Sequence, residues 1–302
     1  MKNLSLILLL TAFIACKPKL KPADAVEETR TSGTVTMLVD ESFSEVLADQ
    51  IEVFQSDYPD TKFTVTEGNE QKIIPTFLND SVRVIVLSRM LTPAEDKLYR
   101  SRSIVPKTSR FAIDGIALIT NKSNLDTNIN VNEVVDILKG TSAGTKQLVF
   151  DNAYSSTLRY FKELAQIKDL PAKGVYTLKT NNDVIKYIAE NKGFIGVVGV
   201  NWLIDNQKEM APYIEQVKMM GVKNVKGKKG DDKFYKPEQV NLINGIYPFL
   251  RNIYIINAEG RDGLGTGFAN WLVSPRGQLI VLKSGLGPHK ISSRDFNFKN
   301  TK

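Results

Sequence analysis

The segment TVTMLVDES, residues 34–42, decides how the chain begins to fold, because a β-branched apolar run ends here abruptly in polar residues. Apolar residues then recur with helical spacing at Val46, Ile51 and Phe54. This order predicts a strand, a turn and a helix.

Two later segments repeat this order. Residues 62–66 and 82–87 are typical of strands, and each run stops at a polar turn that contains Gly68 or Ser88. Strands that alternate with helices indicate an α/β fold with a mainly parallel sheet. Because ligands bind at the carboxyl ends of such strands, we expect Ser42, Gly68 and Ser88 to line one wall of a pocket.

The alternation continues through the rest of the chain. Further strands are expected at 113–119, 148–150, 193–199 and 253–256, and further helices at 131–138, 158–164, 268–273 and 278–282. Residues 121–130 are expected to form a polar loop.

The N-terminal residues predict export from the cytoplasm. The apolar run from Leu4 to Ala15 is shorter than the roughly 20 residues that span a membrane and has the proportions of a secretory signal. It ends at Cys16, the only cysteine, as in signals of the bacterial lipoprotein type. We therefore expect a lipoprotein signal peptide at 1–15, a lipidated polar tether at 16–32, and a body in the periplasm or cell envelope. The alternative is an ordinary signal peptide with a chance cysteine.

Composition argues against an enzyme, a metal protein or a nucleic-acid binder. The only histidine is His289, so no Ser/His/Asp or Cys/His arrangement is expected, and no cluster has the ligand spacing of a zinc site. The net charge of +7 is spread along the chain, and the lysine-rich stretch 223–236 is typical of a solvated loop. No cofactor motif with the right spacing is present. The chain is therefore expected to bind a ligand rather than to transform one.

A candidate anion site lies at the start of one predicted helix. Ser155, Ser156 and Thr157 directly precede the helical run from Leu158. Hydroxyls in this place cap free N–H groups and, together with those groups, can hold an anion. The alternative interpretation is an ordinary N-cap.

Arg89 is a second candidate, because it follows a predicted strand directly. Its guanidinium could bind an oxyanion through two parallel hydrogen bonds. Alternatively, Arg89 forms a salt bridge with Glu95 or Asp96.

Longer motifs occur at YPFLR (247–251), FANWLVS (268–274), GQ (277–278), GLGP (285–288), FAIDGIA (111–117) and VLSRML (86–91). Together they resemble the phosphate-type substrate-binding proteins of bacterial ABC importers, a branch of the two-lobed periplasmic binding proteins. The resemblance covers residues 34 to 288.

The resemblance implies a type 2 fold with two lobes, each a mainly parallel sheet flanked by helices. Lobe 1 would comprise residues 33–115 and 246–302, and lobe 2 residues 116–245. Phosphate or a similar oxyanion would bind between the lobes and pass to an ABC permease. A monomer is expected, with the lipid anchor as the only membrane contact.

The same resemblance implies a set of ligand-binding residues, while the C-terminal motifs belong to the scaffold. The implied set is Ser42, Phe43, Ser88, Arg89, Ser155, Ser156 and Thr157.

Several positions depart from the family pattern. Ser156 replaces a glycine, Glu67 and Glu70 flank a turn that is usually rich in glycine and serine, and Asp151 stands near a place where members often carry a basic residue. Each carboxylate would repel a bound dianion by about 1 kcal/mol in water, and by more when buried. The alternative function is therefore an envelope sensing or protein-interaction module with altered or lost phosphate binding.

Overall fold

A computed structural model describes residues 27–204 and 209–290 of the chain. The predicted signal peptide and the lipidation site Cys16 lie outside these ranges. No helix within them combines the length and the apolar character needed to cross a membrane.

The described ranges contain twelve strands. In chain order these are β1 (Gly33–Asp40), β2 (Thr61–Gly68), β3 (Val84–Leu87), β4 (Lys107–Asn121), β5 (Asn128–Asn130), β6 (Gln147–Phe150), β7 (Val175–Thr177), β8 (Phe194–Gly199), β9 (Val217–Met219), β10 (Gly221–Lys223), β11 (Leu250–Asn257) and β12 (Gly287–Pro288).

Ten α-helices accompany them in the same ranges, together with 3₁₀ turns at Glu41–Phe43 and Val200–Leu203. The helices are α1 (Ser44–Asp57), α2 (Glu70–Leu78), α3 (Pro93–Ser101), α4 (Val131–Lys139), α5 (Ser156–Ala165), α6 (Asn181–Glu190), α7 (Ala211–Ile214), α8 (Gln239–Ile243), α9 (Leu264–Leu272) and α10 (Pro275–Lys283).

The main sheet runs in the order β2-β1-β3-β11-β4-β8-β6-β7. The strands within each outer part, β2-β1-β3 and β8-β6-β7, are parallel to one another. Between these parts, β11 is antiparallel to both β3 and β4, and β4 is antiparallel to β8. The α/β class expected from the sequence is confirmed.

Strand β4 connects the two parts of the sheet, because it changes partner halfway along its length. Up to Gly115 it pairs with β11, and from Ile116 onward it pairs with β8. We call the part built on β1–β3, β11 and the start of β4 the first lobe, and the part built on the end of β4 and β6–β8 the second lobe.

The core of the first lobe forms where α1 and α9 pack on the sheet. Phe54 of α1 meets Phe268 and Trp271 edge-on, with ring centroids 5.5 and 5.4 Å apart, a favoured aromatic geometry. The polar atoms enclosed with them are paired, since Gln50 accepts from the Trp271 indole N–H at 2.9 Å and donates to the Gly277 carbonyl at 2.7 Å. Residues of the FANWLVS and GQ motifs thus build scaffold.

Some elements differ from the sequence-based ones, for a local reason at α5 and a distant one at β5. Helix α5 begins at Ser156 rather than Leu158, because the Ser155 side chain caps it two residues earlier than the apolar pattern indicates. The expected polar loop 121–130 contains β5, which pairs with β10 some ninety residues later in the chain. That partner could not be recognised from the local sequence.

Candidate functional site

Three turns of the first lobe meet a single helix of the second lobe, α5. The turn after β1 places Ser42 Oγ 3.3 Å from Ser156 Oγ. The turn after β3 places Ser88 Oγ 2.9 Å from Arg159 Nη2. The turn after β2 brings Glu70 against the same guanidinium, with Arg159 Nε donating at 2.6 Å. The strand ends expected to converge from the sequence do lie at one cleft.

The hydroxyl of Ser155 is fully used within the protein. Its Oγ accepts the Leu158 backbone N–H at 3.1 Å, which makes Ser155 the N-cap of α5, and it donates to Asp151 Oδ1 at 2.5 Å. With its proton directed to Asp151, Ser155 has no O–H left to offer an anion. Its role here is the ordinary N-cap that the sequence left open.

Ser156 and Thr157 are placed differently, because both hydroxyls accept from one guanidinium. Arg251 Nη1 donates to Ser156 Oγ at 3.0 Å and to Thr157 Oγ1 at 3.2 Å. A hydroxyl that accepts from a cation keeps its own proton for another acceptor. Both side chains are fully buried at the start of α5, where the helix dipole favours negative charge.

Arg251 comes from β11 and is buried beside Asp114 and Phe43. Its Nε donates to Asp114 Oδ2 at 2.7 Å, and its guanidinium lies 4.8 Å from the centroid of the Phe43 ring. Phe43 therefore makes a cation–π contact with this guanidinium. Nη2 has no hydrogen-bond partner among the described residues.

Acceptor atoms without partners lie in the same buried region. Asp40 Oδ1 accepts the Ser42 N–H at 3.0 Å, but Asp40 Oδ2 has no partner among the described residues, and neither has Asp114 Oδ1 or Asn201 Oδ1. Buried polar atoms are normally hydrogen-bonded. Unsatisfied donors and acceptors together indicate a site that a hydrogen-bonding ligand can complete.

Side chains of the second lobe also bond to the turn after β1. Asn201 Nδ2 and Trp202 Nε1 both donate to the Ser42 carbonyl, at 3.2 and 3.3 Å. Glu41 of the same turn accepts a hydrogen bond from Asn152. These bonds connect the two lobes on each side of Ser42.

Arg89 does not face the Ser42–Ser156 contact. Its two terminal nitrogens donate to the Glu95 carboxylate at 2.8 and 2.9 Å, and Nη1 also donates to the Met90 carbonyl at 3.0 Å. The salt bridge that the sequence offered as the alternative is the arrangement present. Arg89 Nε still lies 3.7 Å from Glu70 Oε2, at the edge of the cleft.

Acidic groups dominate the charge of the cleft. Burial raises the pKa of Asp151 to about 6, against the hydrogen bond from Ser155, which lowers it. Burial also raises the pKa of Glu70, although Arg159 opposes this shift, and it raises the pKa of Asp114 despite the adjacent Arg251. All three shifts have the same main cause, because a buried carboxylate loses the water that would solvate its charge.

Three residues with central positions were not among the sequence-based candidates. Arg251 belongs to the YPFLR motif, which was assigned to the scaffold alone, and Asp40 was considered only as the end of a strand. Arg159 could have been found, because it stands four residues after Ser155 and so shares its helix face. Nothing in the local sequence indicates that Arg251 reaches Ser156 and Thr157.

Comparison with known proteins agrees with this geometry. The family model for the PBP superfamily domain (periplasmic binding proteins) matches residues 24–276. The chain is 22% identical to the phosphate-binding protein PstS of Pseudomonas aeruginosa, over 85% of this chain and 83% of that protein.

Two solved structures share the fold. One is a phosphate ABC transporter substrate-binding protein from Clostridium perfringens with bound phosphate (TM-score 0.69, 20% identity, 85% of this chain and 100% of that chain). The other is an ABC-type phosphate transport receptor from Vibrio cholerae (TM-score 0.65, 18% identity, 85% and 100%).

These relatives confirm the resemblance and the two-lobed fold that the motifs predicted. Their names describe binding and transport proteins and no enzyme, in line with the expectation of a binding protein. The match of the family model spans most of the chain, including both lobes and the site on α5. The chain therefore belongs to the PBP superfamily of periplasmic binding proteins.

Proposed function

We propose that the protein binds phosphate, or a similar protonated oxyanion, between its two lobes and delivers it to an ABC importer. The observation that carries this proposal is the contact of Ser42 with Ser156 at the start of α5, where Arg251 donates to both Ser156 and Thr157. The relatives named above support the choice of phosphate.

The donor and acceptor pattern suits a protonated oxyanion. The hydroxyls of Ser42, Ser156 and Thr157 would donate to its oxygens, and Arg251 Nη2 would add a charged donor. The free Oδ2 of Asp40 would accept a proton that the anion carries. Sulfate has no proton at neutral pH, so it would face an unpaired buried carboxylate there and bind more weakly.

The cellular context belongs to the same proposal. Lipidation of Cys16 would anchor the protein to a membrane of the cell envelope, and a monomer would present both lobes to the permease. We place the lobe boundaries at 33–115 plus 246–302 and at 116–245. The change of partner along β4 between Gly115 and Ile116 supports the first crossing.

Calorimetry with phosphate, sulfate and molybdate tests the proposal. We expect a saturable phosphate signal at micromolar protein, and about tenfold or greater weakening in Ser156→Ala, because losing a hydrogen bond to a charged group costs about 1.5–3 kcal/mol. Ser101→Ala is the matched control, since Ser101 lies exposed on α3 and donates to the Leu98 carbonyl. Absence of phosphate binding in the unaltered protein would overturn the proposal.

A second candidate function is an envelope sensing or protein-interaction module on the same fold. The acidity of the cleft favours it, because Asp40, Glu70 and Asp151 are all buried near the proposed seat. This function predicts no heat with any of the three anions. Neighbouring genes for an ABC permease and ATPase would favour transport instead.

A further inference from the structure

Glu70 occupies a position that an external anion would suit. It is the first residue of α2, and its side chain is 8% exposed. Its carboxylate accepts from Arg159 Nε at 2.6 Å and from Arg159 Nη2 at 3.2 Å. Arg89 Nε lies 3.7 Å away on the other side. Two guanidiniums thus converge on one carboxylate at the mouth of the cleft.

The same contact joins the two lobes. Glu70 and Ser88 follow strands of the first lobe, whereas Arg159 belongs to α5 of the second lobe. Arg159 Nη2 donates to Ser88 Oγ at 2.9 Å, so one guanidinium holds two separate turns of the first lobe. The lobes are therefore held together by side chains of the protein itself.

We propose that the Glu70 carboxylate is an internal substitute for the bound anion, which closes the cleft on Arg159 when no ligand is present and must be displaced before phosphate binds. The inference rests on the proposed function for the identity of the ligand, but the closing contact itself does not depend on it.

The surroundings allow such an exchange. A cavity of about 590 Å³ opens beside Glu70 and Arg159, between Ile74 and Pro75 of the first lobe and Tyr154 of the second. A displaced Glu70 side chain can turn into this space and recover its hydration. The arriving anion then reaches the hydroxyls at the start of α5, and the guanidinium of Arg159, one helical turn further along α5, is free to add a charged hydrogen bond.

The exchange predicts a specific cost for phosphate binding. When the anion site is accessible in only a fraction of the molecules, the apparent dissociation constant for phosphate rises in inverse proportion to that fraction. A closed population of about nine in ten would weaken binding about tenfold. Removing the charge of Glu70 should therefore lower the apparent dissociation constant for phosphate by about the same factor.

The first experiment is phosphate calorimetry on Glu70→Gln, which keeps the side-chain shape. We expect about tenfold tighter binding than in the unaltered protein. Glu163→Gln is the matched control, because Glu163 also pairs with Arg159, at 2.9 Å, but within α5 and with a side chain that is 63% exposed. The control should change the affinity less than twofold. Weaker or unchanged binding in Glu70→Gln would overturn the inference.

The second experiment needs no ligand. Small-angle X-ray scattering of the phosphate-free proteins should give a larger radius of gyration for Glu70→Gln than for the unaltered protein and for Glu163→Gln. Equal radii for all three would overturn the closing role of Glu70. If no protein binds phosphate but Glu70→Gln still opens, the proposed function fails while the internal contact stands.

Discussion

Replacing Asp151 by asparagine should stabilise the protein at neutral pH and much less in mild acid. Asp151 is 1% exposed, and burial raises its pKa from 3.8 to about 6. Its carboxylate accepts from Ser155 Oγ at 2.5 Å and from Asn181 Nδ2 at 3.4 Å. No cation is within hydrogen-bonding distance of it among the described residues, so the charged form is poorly compensated.

The sign follows from proton binding in the two states. Because the folded pKa is the higher one, protonated Asp151 stabilises the fold fully below pH 3.8, and this stability is lost as the pH rises through 6. The shift of about two pKa units corresponds to about 3 kcal/mol, at 1.36 kcal/mol per unit. Between pH 4.5 and pH 7.5 the loss amounts to about 2 kcal/mol.

Asparagine removes this titration but can keep the hydrogen bonds. Its amide oxygen still accepts from Ser155, and once the Asn181 amide has turned over, its amide N–H can donate to Asn181 Oδ1, which has no partner among the described residues. The gain in the free energy of unfolding of Asp151→Asn over the unaltered protein should therefore be about 2 kcal/mol larger at pH 7.5 than at pH 4.5.

Urea unfolding at the two pH values measures this difference, with phosphate left out of the buffers. Asp60→Asn is the control, because Asp60 is exposed and a surface substitution should change the free energy of unfolding by less than about 0.5 kcal/mol at either pH. If the difference in the free energy of unfolding between Asp151→Asn and the unaltered protein is the same at both pH values, Asp151 does not titrate as argued.

Two further predictions concern the stability of the fold. Arg251→Met should lower the free energy of unfolding by about 3–5 kcal/mol, because it leaves Asp114 buried without its cation. The double variant with Asp114→Leu should recover part of that loss, as measured by urea unfolding. Equal losses in the single and the double variant would contradict a coupled pair. Gly230→Ala should destabilise the protein clearly more than Gly227→Ala, for which about 1–2 kcal/mol is expected. Both glycines have positive φ (+87° and +83°), but a Cβ at Gly230 would lie 2.1 Å from the Ile246 carbonyl oxygen, whereas Gly227 is open; equal melting temperatures would refute the steric argument.

The candidate site illustrates which features the sequence could predict. Ser42 and Ser88 were expected at one edge because both follow strands of a parallel sheet, and that rule depends only on strand order. The serine cap of α5 is equally local, since Ser155 bonds to a backbone group three residues away. Such features depend on chain geometry over a few residues.

The role of each arginine depended instead on which partner it meets in the folded chain. Arg89 pairs with Glu95, six residues away, and the sequence left this alternative open beside anion binding. Arg251 bonds to Ser156 across 95 residues of chain, and Arg159 bonds to Glu70 across 89. No local pattern distinguishes a scaffold arginine from one that orients the hydroxyls of a ligand site.

By itself, the sequence determined the α/β class, the family, many of the strands and helices, and the turns that meet at the cleft, because each of these depends on local periodicity or on contiguous motifs. Only the tertiary structure decided that Arg251 bonds to Ser156 and Asp40 to Ser42, that Ser155 donates to Asp151, and that Glu70 pairs with Arg159 of the other lobe. Those outcomes depend on which buried polar groups meet across the fold, where each must find a partner or remain unsatisfied. That pairing is set by the packing of the two lobes, which no single segment encodes.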